Sequence, residues 1–158
     1  MSNPPATLGR VLCASDLSEF GNRALTYAFA VTAPTGRVTV LHVLETKPVP
    51  SPLVPHYGEP RADEEELAAQ ERERAERLTA LAQPLAEARA RAFEVRVARA
   101  PRVADAILAE AERIDADLIC LATHSRTGLA QLVLGSAADE VLRRGGRPVL
   151  LVPSPAAG

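Results

Sequence analysis

"DLICLATHSRTGLAQLVLGSAADEVLRRGGRPVLLVP", residues Asp117 to Pro153, decides the fold. An aliphatic run, Asp117 to Thr123, leads through a loop to Gly135-Ser136, a helix from about Ser136 to Arg144, and a second aliphatic run, Arg147 to Pro153. Short, nearly continuous apolar runs on either side of a helix fit parallel strands buried on both faces, where neither side of the strand meets water.

Working outward, the same alternation continues towards the N-terminus. "VADAILAEAERIDA" (Val103 to Ala116) reads as a helix with Ile107, Ala111 and Ile114 on one face, and "FEVRVARA" (Phe93 to Ala100) as a weaker strand whose alternating character suits a sheet edge. Residues 62–92 read as a long helix. Its first half is polar nearly all round, Leu78, Leu81 and Leu85 give the later half a core stripe, Glu73 and Arg77 are spaced as an i,i+4 pair, and Pro84 is expected to kink or end it. "KPVPSPLVPHYGEP" (Lys47 to Pro60) holds five prolines and reads as a loop over about 47–61, either a lid or an unstructured excursion. "RVTVLHVLE" (Arg37 to Glu45) and "RVLCASD" (Arg10 to Asp16) are further strands. The helix between them places Leu25, Ala28, Phe29 and Thr32 on one face, with Ser18 as its N-cap.

This order predicts one α/β domain over residues 1–158: an open five-stranded parallel sheet with helices on both faces, joined by right-handed crossovers, with a frayed tail after 153. The composition excludes several functions. A net charge of -2 gives no field to draw the chain to nucleic acid, and 3% aromatic residues without tryptophan leave no stacking platform for single strands. No stretch approaches the roughly 20 apolar residues that span a bilayer, and no signal-like segment opens the chain, so a cytoplasmic place without membrane contact is expected. Cys13 and Cys120 sit inside apolar runs and read as buried reduced thiols; on neighbouring parallel strands they would be poorly placed for a disulfide.

In an open α/β sheet a ligand sits beyond the carboxyl ends of the strands, where strand order reverses. Asp16, ending the first strand, reads equally as an acceptor for a ribose hydroxyl or adenine amino group and as the turn residue of the next helix. Gly135-Ser136 reads either as an anion site at a helix mouth, the glycine admitting a phosphate and the serine adding a donor, or as a serine N-cap behind a turn glycine. There is no G-x-x-x-x-G-K-[ST], no G-x-G-x-x-G after the first strand, and no grouping of His42, His56 and His124 with metal-ligand spacing. Nor does a nucleophile or a paired-carboxylate constellation stand out, which leaves catalysis little support.

The runs "RVLCASDLSEFGNRAL", "VTVLHVLE" and the whole block from Asp117 to Pro153 resemble the universal stress protein family over nearly the entire chain. That resemblance implies the same five-stranded sandwich, dimerisation through the last strand (Arg147 to Pro153), and either an ATP-binding or a nucleotide-free type. The ATP-binding pattern G-x2-G-x9-G-[ST] falls on Ala122, Ser125, Gly135 and Ser136, so the spacing is kept while two glycines are replaced. By resemblance Asp16 meets the ribose or adenine, Val43 and Leu121 flank the base, Ala14 and Ser15 lie beside the nucleotide, and Gly135, Ser136 and Ala137 cradle phosphates. It therefore implies an ATP-binding regulatory module, with Mg²⁺ accompanying the nucleotide and at most slow, incidental hydrolysis. The alternative is a nucleotide-free homodimer acting through unidentified protein partners.

Overall fold

In the computed structural model, which describes residues 7–46, 64–123 and 135–153, five strands alternate with four helices. They are Arg10–Ala14 (β1), Glu19–Val31 (α1), Arg37–Glu45 (β2), Glu64–Arg89 (α2), Ala92–Ala100 (β3), Val103–Arg113 (α3), Leu118–Thr123 (β4), Ser136–Arg144 (α4) and Val149–Pro153 (β5). The strands form one parallel sheet in the order β3-β2-β1-β4-β5, so the chain works outward from β1 on one side and returns to its other side with β4. The reversal falls between β1 and β4. The Pro-rich segment and the tail lie outside the described residues.

Strand alternation feeds two cores. Val11, Cys13, Val38, Val40, Leu118 and Cys120 face α1 and α2, where Leu25, Ala28, Phe29, Leu78, Ala82 and Ala86 meet them. Leu12, Leu41, Ile119 and Leu121 face the other way, onto Ala104, Ile107 and Ala111 of α3 and Ala138 and Val141 of α4. With a two-residue period, both sets must be aliphatic, which is why the strands read as continuous apolar runs.

Local signals set most boundaries. The Ser18 side chain accepts from the Gly21 N–H at the start of α1, as its position implies, and Thr32 ends the helix with its hydroxyl bonded to the Ala28 carbonyl. α2 is the long helix the sequence announces, and of the two outcomes expected at Pro84 it does not end there but runs on to Arg89. Leu78, Ala82 and Ala86, four residues apart, are its fully packed positions, while Leu81 and Leu85 flank them; this packing holds the turns on both sides of the proline, whose ring is exposed. The fifth strand is shorter than the apolar run that announced it, beginning at Val149, because Arg147 turns away to bond the Ala116 carbonyl and pair with Asp115 and Glu112. β3 is an edge strand, as its alternation predicts, and β5 is the other. Among the described residues no helix is long and apolar enough to cross a membrane.

Candidate functional site

A cleft of about 270 Å³ opens where β1, β2 and β4 end, at the point where strand order reverses. Its inner wall is aliphatic: Leu41 and Val43 from β2, Leu121 from β4, Val103 and Ile107 from α3, and Ala138 from α4. Asp16 and Glu45 bring carboxylates to its lining. Of the residues singled out in the sequence, Ala14, Ser15, Asp16, Val43, Leu121, Ala122, Gly135 and Ala137 line this cleft together. Ser136 lines an adjoining cavity of about 180 Å³, which shares Glu45, Val103 and Ala137 with the first. Ser125 and the rest of the loop between β4 and Gly135 lie outside the described residues.

The turn after β1 is tightly organised. Ser15 is buried; its hydroxyl accepts from the Leu17 N–H at 3.0 Å and donates to Asn22 Oδ1, while its backbone N–H donates to the Leu41 carbonyl. His42 closes the turn from β2. Its Nδ1 lies 2.9 Å from the Ser15 carbonyl, and because a carbonyl only accepts, this nitrogen carries the proton. Leu17 takes φ 64°, a left-handed conformation that costs a non-glycine residue on the order of 1 kcal/mol. Its buried side chain and these bonds hold it there. Asp16 Oδ1 accepts from both the backbone N–H and the hydroxyl of Ser18, at 2.9 and 2.6 Å. The structure thus makes Asp16 the turn residue of α1 and also brings it to the cleft lining. Gly21 makes this possible, since a Cβ there would collide with Asp16 Oδ1.

The helix mouth opposite differs from one of its two readings. Gly135, not Ser136, is the N-cap of α4, with φ -60° and ψ 150°, and among the described residues no side chain caps the helix; Ser136 is its first helical residue. The backbone at Gly135 is one that any residue adopts, and among the described residues no atom lies within 4 Å of the place a Cβ would take. The first-turn N–H groups and the positive end of the helix dipole face this side of the molecule without a capping side chain among the described residues. α3 begins in the same way: its N-cap, Arg102, makes no side-chain cap bond.

The smaller cavity is lined by Arg102, Val103, Ala104, Glu45, Ser136, Ala137 and Glu140. Arg102 Nη2 contacts both Glu140 carboxylate oxygens at 2.6 Å, and Glu140 is also met by Arg144 at 3.3 Å. Arg144 in turn bonds Asp105 at 2.7 Å, an interaction that holds the Asp105 carboxyl below its ordinary range. Among the described residues there is no cluster of three or more side chains able to hold a metal ion.

Cleft residues that the sequence did not single out are Gly21, Leu41, Glu45, Val103, Ile107 and Ala138. The strand-end rule that drew out Val43 reaches His42 beside it. The walls from α3 and α4 depend on how the helices lie across the sheet, which has no local signature.

The model of the universal stress protein family matches residues 7–153. The chain belongs to the universal stress protein family. Its relatives include a universal stress protein of Methanocaldococcus jannaschii, MJ0531, 42% identical over 52 residues; that match spans 33% of this chain and 31% of the relative's length. The crystal structure of a universal stress protein family member from Burkholderia pseudomallei superimposes with a TM-score of 0.68 at 24% identity, covering 96% of this chain and all of the other. A universal stress protein from Archaeoglobus fulgidus, solved in complex with dAMP, superimposes with a TM-score of 0.58 at 19% identity over 92% of this chain and 97% of that one. Likeness at these identities carries the family fold: a five-stranded parallel sheet with helices on both faces, as found here.

Proposed function

We propose that this universal stress protein is an ATP-binding regulatory module of the stress response, acting in the cytoplasm, in which occupancy of the cleft changes the surface that partner proteins meet. The observation that carries the reading is Gly135. Neither its backbone conformation nor any described neighbour requires a glycine, and it caps a helix at the cleft rim whose first turn has no capping side chain among the described residues. A phosphate drawn to those N–H groups supplies a reason for the missing side chain. The aliphatic wall of Val43, Leu121 and Ile107 suits an adenine ring, and the Asp16 carboxylate lines the same cleft. The dAMP complex of the Archaeoglobus relative supports a nucleotide as the ligand class. Mg²⁺, on this reading, arrives on the nucleotide's phosphates.

A second element of the proposal is a homodimer across β5. That strand is paired on one side only, by β4, and Val149, Leu150 and Leu151 are half-buried along it. An uncovered apolar edge invites pairing with another chain. This feature also favours the alternative function, a nucleotide-free dimer that works through protein contacts alone.

Calorimetric titration of nucleotide-stripped protein with ATP and Mg²⁺ separates the two. Binding at about micromolar strength is expected, together with its loss in Gly135→Asp, where a carboxylate meets the phosphates. The variant should fold as well as the parent, because φ at this position is ordinary, the Cβ has room, and aspartate is a favoured N-cap. Wild-type protein that neither binds ATP nor carries nucleotide through purification would leave the dimeric alternative.

A further inference from the structure

The two cavities are joined along Ala137, Val103 and Glu45, so a chain of phosphates that starts at Gly135 and passes Ser136 enters the smaller one. That cavity is an unfavourable place for bare polyphosphate: Glu45 and Glu140 both line it. Among the described residues that line either cavity, Arg102 is the one guanidinium or ammonium group. Its charge is shared between Glu140, with one nitrogen on both carboxylate oxygens, and Asp105, 4.0 Å from its Nε. The Arg102 side chain is 58% exposed, where ion pairs contribute little. Glu140 is not stranded when it leaves, since Arg144 already lies 3.3 Å away. A guanidinium presents paired N–H donors that match phosphate oxygens.

Resting on the nucleotide reading above, we infer that Arg102 is a specificity-determining residue of the cleft: it leaves Glu140 for the terminal phosphate and so sets the preference for ATP over AMP. Glu140 is the competitor that limits this preference.

The test is calorimetry with ATP and with AMP, at equal Mg²⁺, on the full chain and on Arg102→Gln and Glu140→Gln. Arg102→Gln should weaken ATP about tenfold, the range of one charge-assisted contact, and leave AMP within about twofold. Glu140→Gln should shift the ATP-to-AMP ratio towards ATP. AMP binding is the internal control for an intact cleft. A ratio unchanged in Arg102→Gln, or an equal loss for both nucleotides, overturns this inference and leaves ATP binding standing. Wild-type protein that binds neither nucleotide overturns the parent reading, and this one with it.

Discussion

Glu110 shows what a single carboxylate does in this fold. It is 7% exposed on α3, and the Arg113 guanidinium grips it with Nε and Nη2 at 3.0 and 2.6 Å while Arg96 stands 3.7 Å away. The hydrogen bond from Arg113, then the charges of Arg113 and Arg96, hold its carboxyl below the ordinary glutamate range against the opposing effect of burial. A depressed folded-state value stabilises the fold above the unfolded value, about 4.3, and that contribution is lost as pH falls through the folded one. Urea unfolding across pH should therefore show stability dropping below about pH 4.3, and Glu110→Gln should flatten part of that slope while lowering neutral stability by about 1 kcal/mol. An equally steep acid limb in the variant would assign the loss to other carboxylates. Gly135 is the contrast: a Cβ there meets no described neighbour, so its substitution should leave the unfolding midpoint unchanged.

At the scale of elements, α2 is the informative case. Its first turns extend past the sheet and are tied back by Arg99 of β3, which bonds Glu71 with Nε at 2.6 Å and Nη2 at 2.9 Å and reaches Glu64 with Nη1 at 2.6 Å. The later turns are held by Leu78, Ala82 and Ala86, and between these anchors the helix tolerates a proline. Proline in a helix interior costs up to about 3 kcal/mol against alanine, so Pro84→Ala, at an exposed position, should raise the unfolding free energy by about 1 to 3 kcal/mol. Thermal or chemical denaturation measures this directly, and an unchanged midpoint would mean that the helix had already absorbed the cost. The strands were legible in the sequence because burial on both faces demands consecutive aliphatic residues, and Ser18 was legible because a cap acts within three residues. Pro84 does not end the helix because long-range packing outweighs its local preference. The start of α4 at Ser136 was legible, but its cap was not, because serine and glycine are both good caps and the choice between them turns on backbone angles. At the site, Asp16, Val43 and Leu121 could be drawn from strand ends alone, while Ile107 and the pair of Arg102 with Glu140, 38 positions apart, arise only when α3 is laid beside α4.

On the scale of the whole molecule, the sheet has two edge strands, and charged side chains are confined to one of them. β3 carries Glu94, Arg96 and Arg99, engaged in ion pairs with α2, α3 and β2, whereas β5 offers Val149, Leu150 and Leu151. Charged residues blunt an edge, and aliphatic ones do not. Sedimentation equilibrium at micromolar concentration should thus return twice the chain mass of 16.8 kDa; a monomer there would remove the dimer from the functional account. The seam between β1 and β4 has another property. Cys13 and Cys120 are register partners across it, fully buried, and the neighbouring thiol together with burial raises the Cys13 pKa well above its usual value. A protein whose family name speaks of stress thus keeps the Cys13 thiol protonated and both sulfurs out of reach at the joint between the two halves of its sheet. An oxidant meets them only after that joint has parted, so chemical damage to the thiols records a molecule that has already come undone.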